Sequence, residues 1–135
     1  TRFWMGELAD NGPTRLYPRY SIMTLNDYQT EAFKTALDSS KNIQYMTLGL
    51  AGEAGEVANK VKKLSRDGDT PERRKAIEGE IGGVAWYLAG LCTVLDVKLE
   101  DVCRANLAEL EARVKRGIIH GDGDVRGLTE SPPIA

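Results

Sequence analysis

From Thr24 to Arg116 the apolar residues recur at helical spacing, and no run of alternating β-branched residues competes with it. This pattern predicts an all-α domain. The first helix is expected from about Leu25 to Leu37, capped by Thr24 or Asn26, with Tyr28, Ala32, Phe33, Ala36 and Leu37 inward. The second runs from about Ile43 to Leu64 and would bury Leu50, Ala54, Val57, Val61 and Leu64. The turn "SRDGDTP" ends it, and there Thr70, Pro71 and Glu72 are a cap, a first helical residue and a first-turn acid for a third helix reaching Leu95. Its stripe is Ile77, Ile81, Val84, Ala85, Leu88, Leu91, Cys92 and Leu95. A fourth helix, Leu99 to Arg116, would bury Leu99, Val102, Cys103, Leu107, Leu110 and Val114 and stop at Gly117. Short turns between four such helices imply an antiparallel four-helix bundle. The length of the third helix points to a second subunit.

At 135 residues the chain suits one domain. That domain is expected over 23–126, after an irregular arm over 1–22 and before a tail over 127–135. A net charge of −2, with basic residues scattered among acids, argues against a nucleic-acid polymer as partner. No run is long and apolar enough for a membrane span and the start lacks signal-peptide order, so a soluble cytoplasmic protein is expected. Cys92 and Cys103, both within apolar stripes, read as reduced thiols.

The middle two helices carry the chemistry. At about 100° per residue, Glu53, Glu56, Lys60 and Lys63 fall within a sector of about 80° on the second helix. Glu80, Gly83, Tyr87 and Gly90 share one ridge of the third. If the helices pack antiparallel, acids from both can offer oxygen ligands to Mg²⁺, with the lysines placed for phosphates. Acids followed by lysines are equally the ordinary dress of a solvated helix face. The glycines weigh against that plain reading, because Gly49, Gly52, Gly55, Gly79, Gly82, Gly83 and Gly90 each cost about 1 kcal/mol relative to Ala in a helix interior. Asn106, near the edge of the fourth stripe, needs a polar partner, either backbone or a ligand's sugar or base. Trp86 and Tyr87 are core or a stacking surface, and His120 is a loop residue with no second ligand beside it.

The segments "LGLAGEAGEV", "EIGGVAWYLAGL", "ANLAEL" and "RGIIHGDGDVR", in this order, resemble the MazG-like all-α nucleoside triphosphate pyrophosphohydrolases of phage and bacterial type. The resemblance covers about Met23 to Arg126. It implies Mg²⁺-dependent hydrolysis of an NTP or dNTP to the monophosphate and pyrophosphate, with Mn²⁺ as a substitute ion and a homodimer or homotetramer as the assembly. It also implies Glu53, Glu56 and Glu80 as catalytic metal ligands and Tyr87 and Asn106 as nucleotide contacts, and Asp124 and Arg126 resemble part of a tail motif of phage-type members; with Lys60 and Lys63, placed by helix geometry, these are the expected substrate-binding residues. The departure is Gly83, where the family's Glu-x-x-Asp pair calls for Asp. A missing carboxylate removes a ligand and a unit of charge. Glu109, where relatives carry a basic residue, is a lesser departure. Two other functions fit these residues: a weakened relative that binds nucleotide or metal for regulation, and a helical oligomerisation module with no ligand.

Overall fold

The computed structural model describes residues 22–117, and every regular element among them is helical. Helix α1 is Leu25–Phe33, α2 is Ile43–Asp67, α3 is Pro71–Val94 and α4 is Leu99–Arg116, with a short 3₁₀ turn at Asp38–Ser40. Each of the first three helices starts where a polar side chain satisfies an orphan amide. Thr24 and Asp27 form a reciprocal capping box on α1. The Asn42 side-chain oxygen Oδ1 accepts from Tyr45 N at 2.8 Å, and the Thr70 hydroxyl accepts from Arg73 N at 3.3 Å just ahead of Pro71. Gly68 (φ 101°) and Gly117 (φ 70°) close α2 and α4 in backbone conformations that side-chain-bearing residues rarely adopt.

The chain divides into two compact units, one reaching Leu99 and the other starting at Glu100. In the first, α3 is the common partner of α1 and α2. Its buried core is Ala36, Met46, Ala89, Cys92 and Leu99, with Met46 and Ala89 fully enclosed. Gln29 is buried with them and ties three places together. Its amide nitrogen donates to Thr93 Oγ1 (3.1 Å) and to the Val97 carbonyl (2.9 Å), while its oxygen accepts from Leu99 N (2.7 Å).

Helix α1 ends about one turn earlier than its apolar pattern predicts, and Leu37, expected inward, is 74% exposed. The chain turns there instead, with Ser40 Oγ donating to the Leu37 carbonyl. Helix α2 runs three residues past the expected Leu64 because its first stop signal is Gly68. A larger difference concerns which face of α2 is used. Of the expected stripe, Leu50, Val57 and Leu64 are half-buried, whereas Ala54 and Val61 are exposed. The face packed on α3 includes Met46, Gly49 and Glu53, so the seam follows the glycine and acid ridge.

In the second unit, α4 carries acids in its first turn and bases in its last, matching the helix dipole. Ion pairs Glu100–Arg104, Glu109–Arg113 and Glu111–Lys115 bridge successive turns. Cys103 and Leu110 are half-buried, but Val102, Leu107 and Val114, expected inside, are 43%, 64% and 62% exposed. Among the described residues no single helix is long and apolar enough to cross a membrane.

Candidate functional site

The α2–α3 seam is antiparallel and its register can be read from the glycines. A Cβ on Gly90 would lie 2.6 Å from Met46 Sδ, one on Gly49 would lie 2.0 Å from Tyr87 Cε1, and one on Gly83 would lie 2.5 Å from Glu53 Oε2. Steps of three and four residues up α2, from Met46 to Gly49 to Glu53, match equal steps down α3, from Gly90 to Tyr87 to Gly83. This is the seam spacing of paired helices, brought close by small residues. At Gly52, Gly55, Gly79 and Gly82 a Cβ would meet nothing within 4 Å, so these four stand outside the seam.

Glu53 and Glu80 face each other across the helices, near enough for the Glu80 carboxylate to act on Glu53. Burial first, then Glu80 and Glu56, hold the Glu53 proton affinity above the ordinary carboxylate range. Lys60 reaches back along α2 to place Nζ 3.6 Å from Glu80 Oε1, with both side chains only partly exposed. Of the three acids expected together, two therefore meet, and Glu56, exposed on α2, acts on Glu53 through its charge. Among the described residues, no group of three or more His, Cys, Asp or Glu side chains is gathered at metal-holding geometry. The donor chemistry nevertheless fits a hard divalent cation, since Mg²⁺ commonly uses one or two carboxylates and completes its shell with water and phosphate oxygens.

An aromatic group borders the acids. The Tyr87 ring lies against the Gly49 backbone, with Tyr45 at 6.3 Å between centroids and Trp86 edge-on at 4.9 Å. Burial, then Tyr45 and more weakly Glu53, push the Tyr87 hydroxyl pKa upward, so it stays a protonated donor at neutral pH. Trp86 is held by its Nε1 donating to Thr35 Oγ1 at 2.8 Å. Tyr45 was not evident from sequence as a site neighbour. Its signal lies in the register, because it stands one turn before Gly49, the residue on which Tyr87 rests.

The remaining expected residues fall elsewhere. Lys63 is exposed further along α2, and its charge acts on Asp67. Asn106 is exposed on α4, and Glu109 is engaged by Arg113 at 2.9 Å and Arg116 at 3.5 Å. Asp124 and Arg126, like His120, lie outside the described residues.

Residues 41–118 match the MazG nucleotide pyrophosphohydrolase domain, a span that contains α2, α3 and α4. The chain is 46% identical over 114 residues to the Gene 37 protein of Mycobacterium phage L5, covering 77% of this chain and 100% of that protein. No solved structure gives a significant match.

Proposed function

The chain belongs to the MazG nucleotide pyrophosphohydrolase domain family, and from that premise we propose that it hydrolyses an NTP or dNTP to the monophosphate and pyrophosphate at the Glu53–Glu80 end of the α2–α3 seam. The observation that carries this reading is the meeting of two carboxylates from different helices beside one lysine and a protonated tyrosine. A solvated face would spread such charges apart.

In this reading Glu53 and Glu80 would hold a divalent cation, with Glu56 beside them, and the ion would supply charge neutralisation for the bound phosphates. Mg²⁺ is the proposed ion and Mn²⁺ its substitute. Either Glu53 or Glu56 positions the attacking water and accepts its proton. The water oxygen bonds to the α-phosphorus as the bond from that phosphorus to the bridging oxygen breaks, and pyrophosphate leaves with the electron pair. Lys60, half-buried beside Glu80, is placed to meet the leaving phosphates, and Lys63 extends that positive ridge. Tyr87 and Tyr45 offer a ring face and hydroxyl groups to the nucleoside. Asn106, Asp124 and Arg126 are proposed as further nucleotide contacts.

We also propose that the protein acts as a homodimer or homotetramer. Ile81 and Leu88 on α3 and Leu95 at its C-cap, all expected inward, recur every seven residues and are instead 52%, 38% and 48% exposed, an apolar stripe of the kind a partner subunit covers.

A coupled pyrophosphate-release assay over NTPs and dNTPs tests the proposed activity. Release that depends on Mg²⁺ and falls at least about a hundredfold in Glu80→Gln is the expected result. Orthophosphate with a nucleoside diphosphate as products would contradict it.

A further inference from the structure

Helix α1 lies outside the span 41–118 that matches the family domain, yet it reaches α3 at two polar points. Gln29 meets Thr93 near the end of α3, and Thr35, just past the end of α1, meets Trp86. From Gln29 to Thr35 and from Thr93 back to Trp86 the steps are nearly equal, as two segments running antiparallel require. Docking of the buried Gln29 therefore delivers Thr35 to the indole. The Thr35 hydroxyl has one proton, which it donates to the Ala32 carbonyl at 2.7 Å. Its oxygen is left as an acceptor for Trp86, whose Nε1 donates to it at 2.8 Å.

Neighbouring residues on a helix diverge by about 100° and do not ordinarily face each other. Trp86 and Tyr87 nevertheless stand edge to face, with ring centroids 4.9 Å apart. That contact needs the indole swung over toward Tyr87 and kept there. The single polar atom of the indole is the one that Thr35 holds. Tyr45, 46% exposed and tilted by 34° at 6.3 Å, is a looser neighbour of Tyr87, so the firmer constraint comes from the Trp86 side. We infer that α1 is a working part of the nucleotide site: the Thr35 hydroxyl fixes the Trp86 indole, and the indole holds the Tyr87 ring where it meets the nucleoside. This rests on the nucleotide reading above. Thr35 and Trp86 are positioning residues acting through Tyr87, so their loss appears in nucleotide affinity more than in the chemical step.

Steady-state pyrophosphate release by the full-length chain, compared with Thr35→Val, Thr35→Ser, Trp86→Phe, the Thr35→Val/Trp86→Phe double variant and Thr70→Ala, tests the inference. Valine keeps the shape of Thr35 without the acceptor, and should raise KM about three- to tenfold with kcat within about twofold of wild type. Serine keeps the acceptor and should restore KM. Trp86→Phe should lose at least as much as Thr35→Val, and the double variant no more than Trp86→Phe alone, because Thr35 acts only through the indole. Thr70→Ala removes a helix cap and lowers stability, but should leave KM at the wild-type value. In a Trp4→Phe background Trp86 is the single tryptophan of the chain, and its emission should shift in Thr35→Val and return in Thr35→Ser. Unchanged KM or emission in Thr35→Val, no rescue by serine, or an equal rise of KM in Thr70→Ala would each overturn the inference. Wild type that neither releases pyrophosphate nor binds nucleotide in calorimetry would overturn the nucleotide reading and the inference with it, whereas turnover with a KM that ignores Thr35 would overturn the inference alone.

Discussion

At the Met46 end of the α2–α3 seam a glycine faces an apolar side chain, and at the Glu53 end a glycine faces a carboxylate. The backbone device is shared, but its surroundings differ. Gly90 meets Met46 there, and Ala89 and Cys92 on the same helix are buried, as is Gln29, whose amide bonds to three groups near the end of α3 and beyond it. Around Gly83 lie Glu53, Glu80 and Lys60, partly exposed and unequal in charge. Close helix approach stabilises packing at the first end. At the second it brings like charges together, a cost in stability that the proposed cation would relieve. One seam can therefore hold the helices together and hold a ligand, provided the two tasks sit at different places along it.

Changes at the buried end should have the largest effects on stability. Gln29→Leu leaves the Val97 carbonyl, the Leu99 amide and the Thr93 hydroxyl without this partner, and should destabilise by about 2–3 kcal/mol in urea unfolding. A loss near zero would mean that water replaces the amide there. Gly49→Ala sets a methyl carbon on the Tyr87 ring, so overpacking outweighs the gain in helix propensity and about 1–2 kcal/mol is lost. Gly52→Ala, three residues along and facing open space, should instead gain up to about 1 kcal/mol. If both glycine variants moved stability in the same direction, the register derived for the seam would be wrong.

Changes at the acidic end should be smaller and should appear in ligand binding. Lys60 competes with a cation for Glu80, so Lys60→Met should tighten Mn²⁺ binding roughly three- to fivefold, while weakening nucleotide binding measured in the same way. Weaker Mn²⁺ binding would show that Lys60 organises the acids. The smallest effect concerns pH. Burial and then Glu80 raise the Glu53 proton affinity above its ordinary value of 4.5, so the cation-free native state holds this proton more tightly than the unfolded chain. That contribution is complete below pH 4.5 and is lost as pH rises through the raised value. Glu53→Gln cannot titrate, and its cation-free thermal midpoint should fall slightly less than wild type between that pH and neutrality. An identical pH profile would place Glu53 away from Glu80.

Much of the helical content was legible in the sequence. Thr24, Thr70, Pro71 and Gly117 mark helix ends that the structure keeps. The ridge of Glu80, Gly83, Tyr87 and Gly90 is real, and three of its members lie in the seam. The facing side was harder to read, because apolar periodicity on α2 points to Leu50, Val57 and Val61, whereas glycines allow the backbones to close over Met46, Gly49 and Glu53. Small residues can outweigh an apolar stripe in setting a helix contact, and hydropathy does not register this. Gln29 was missed for a different reason, since its partners are more than sixty residues away and no local pattern marks a polar side chain as buried. The close approach of Glu53 to Gly83 likewise required coordinates, because no local pattern shows which residue of a neighbouring helix lies against a glycine.

The separation of the two ends is tested most directly by thermal unfolding with and without Mn²⁺, comparing wild type, Gly49→Ala and Glu80→Gln. Gly49→Ala should unfold at a lower midpoint yet keep the rise that Mn²⁺ gives wild type. Glu80→Gln should keep or raise the cation-free midpoint and lose that rise. If the two variants lost the Mn²⁺-induced rise together, or neither did, the seam would not be divided into a packing end and a cation end.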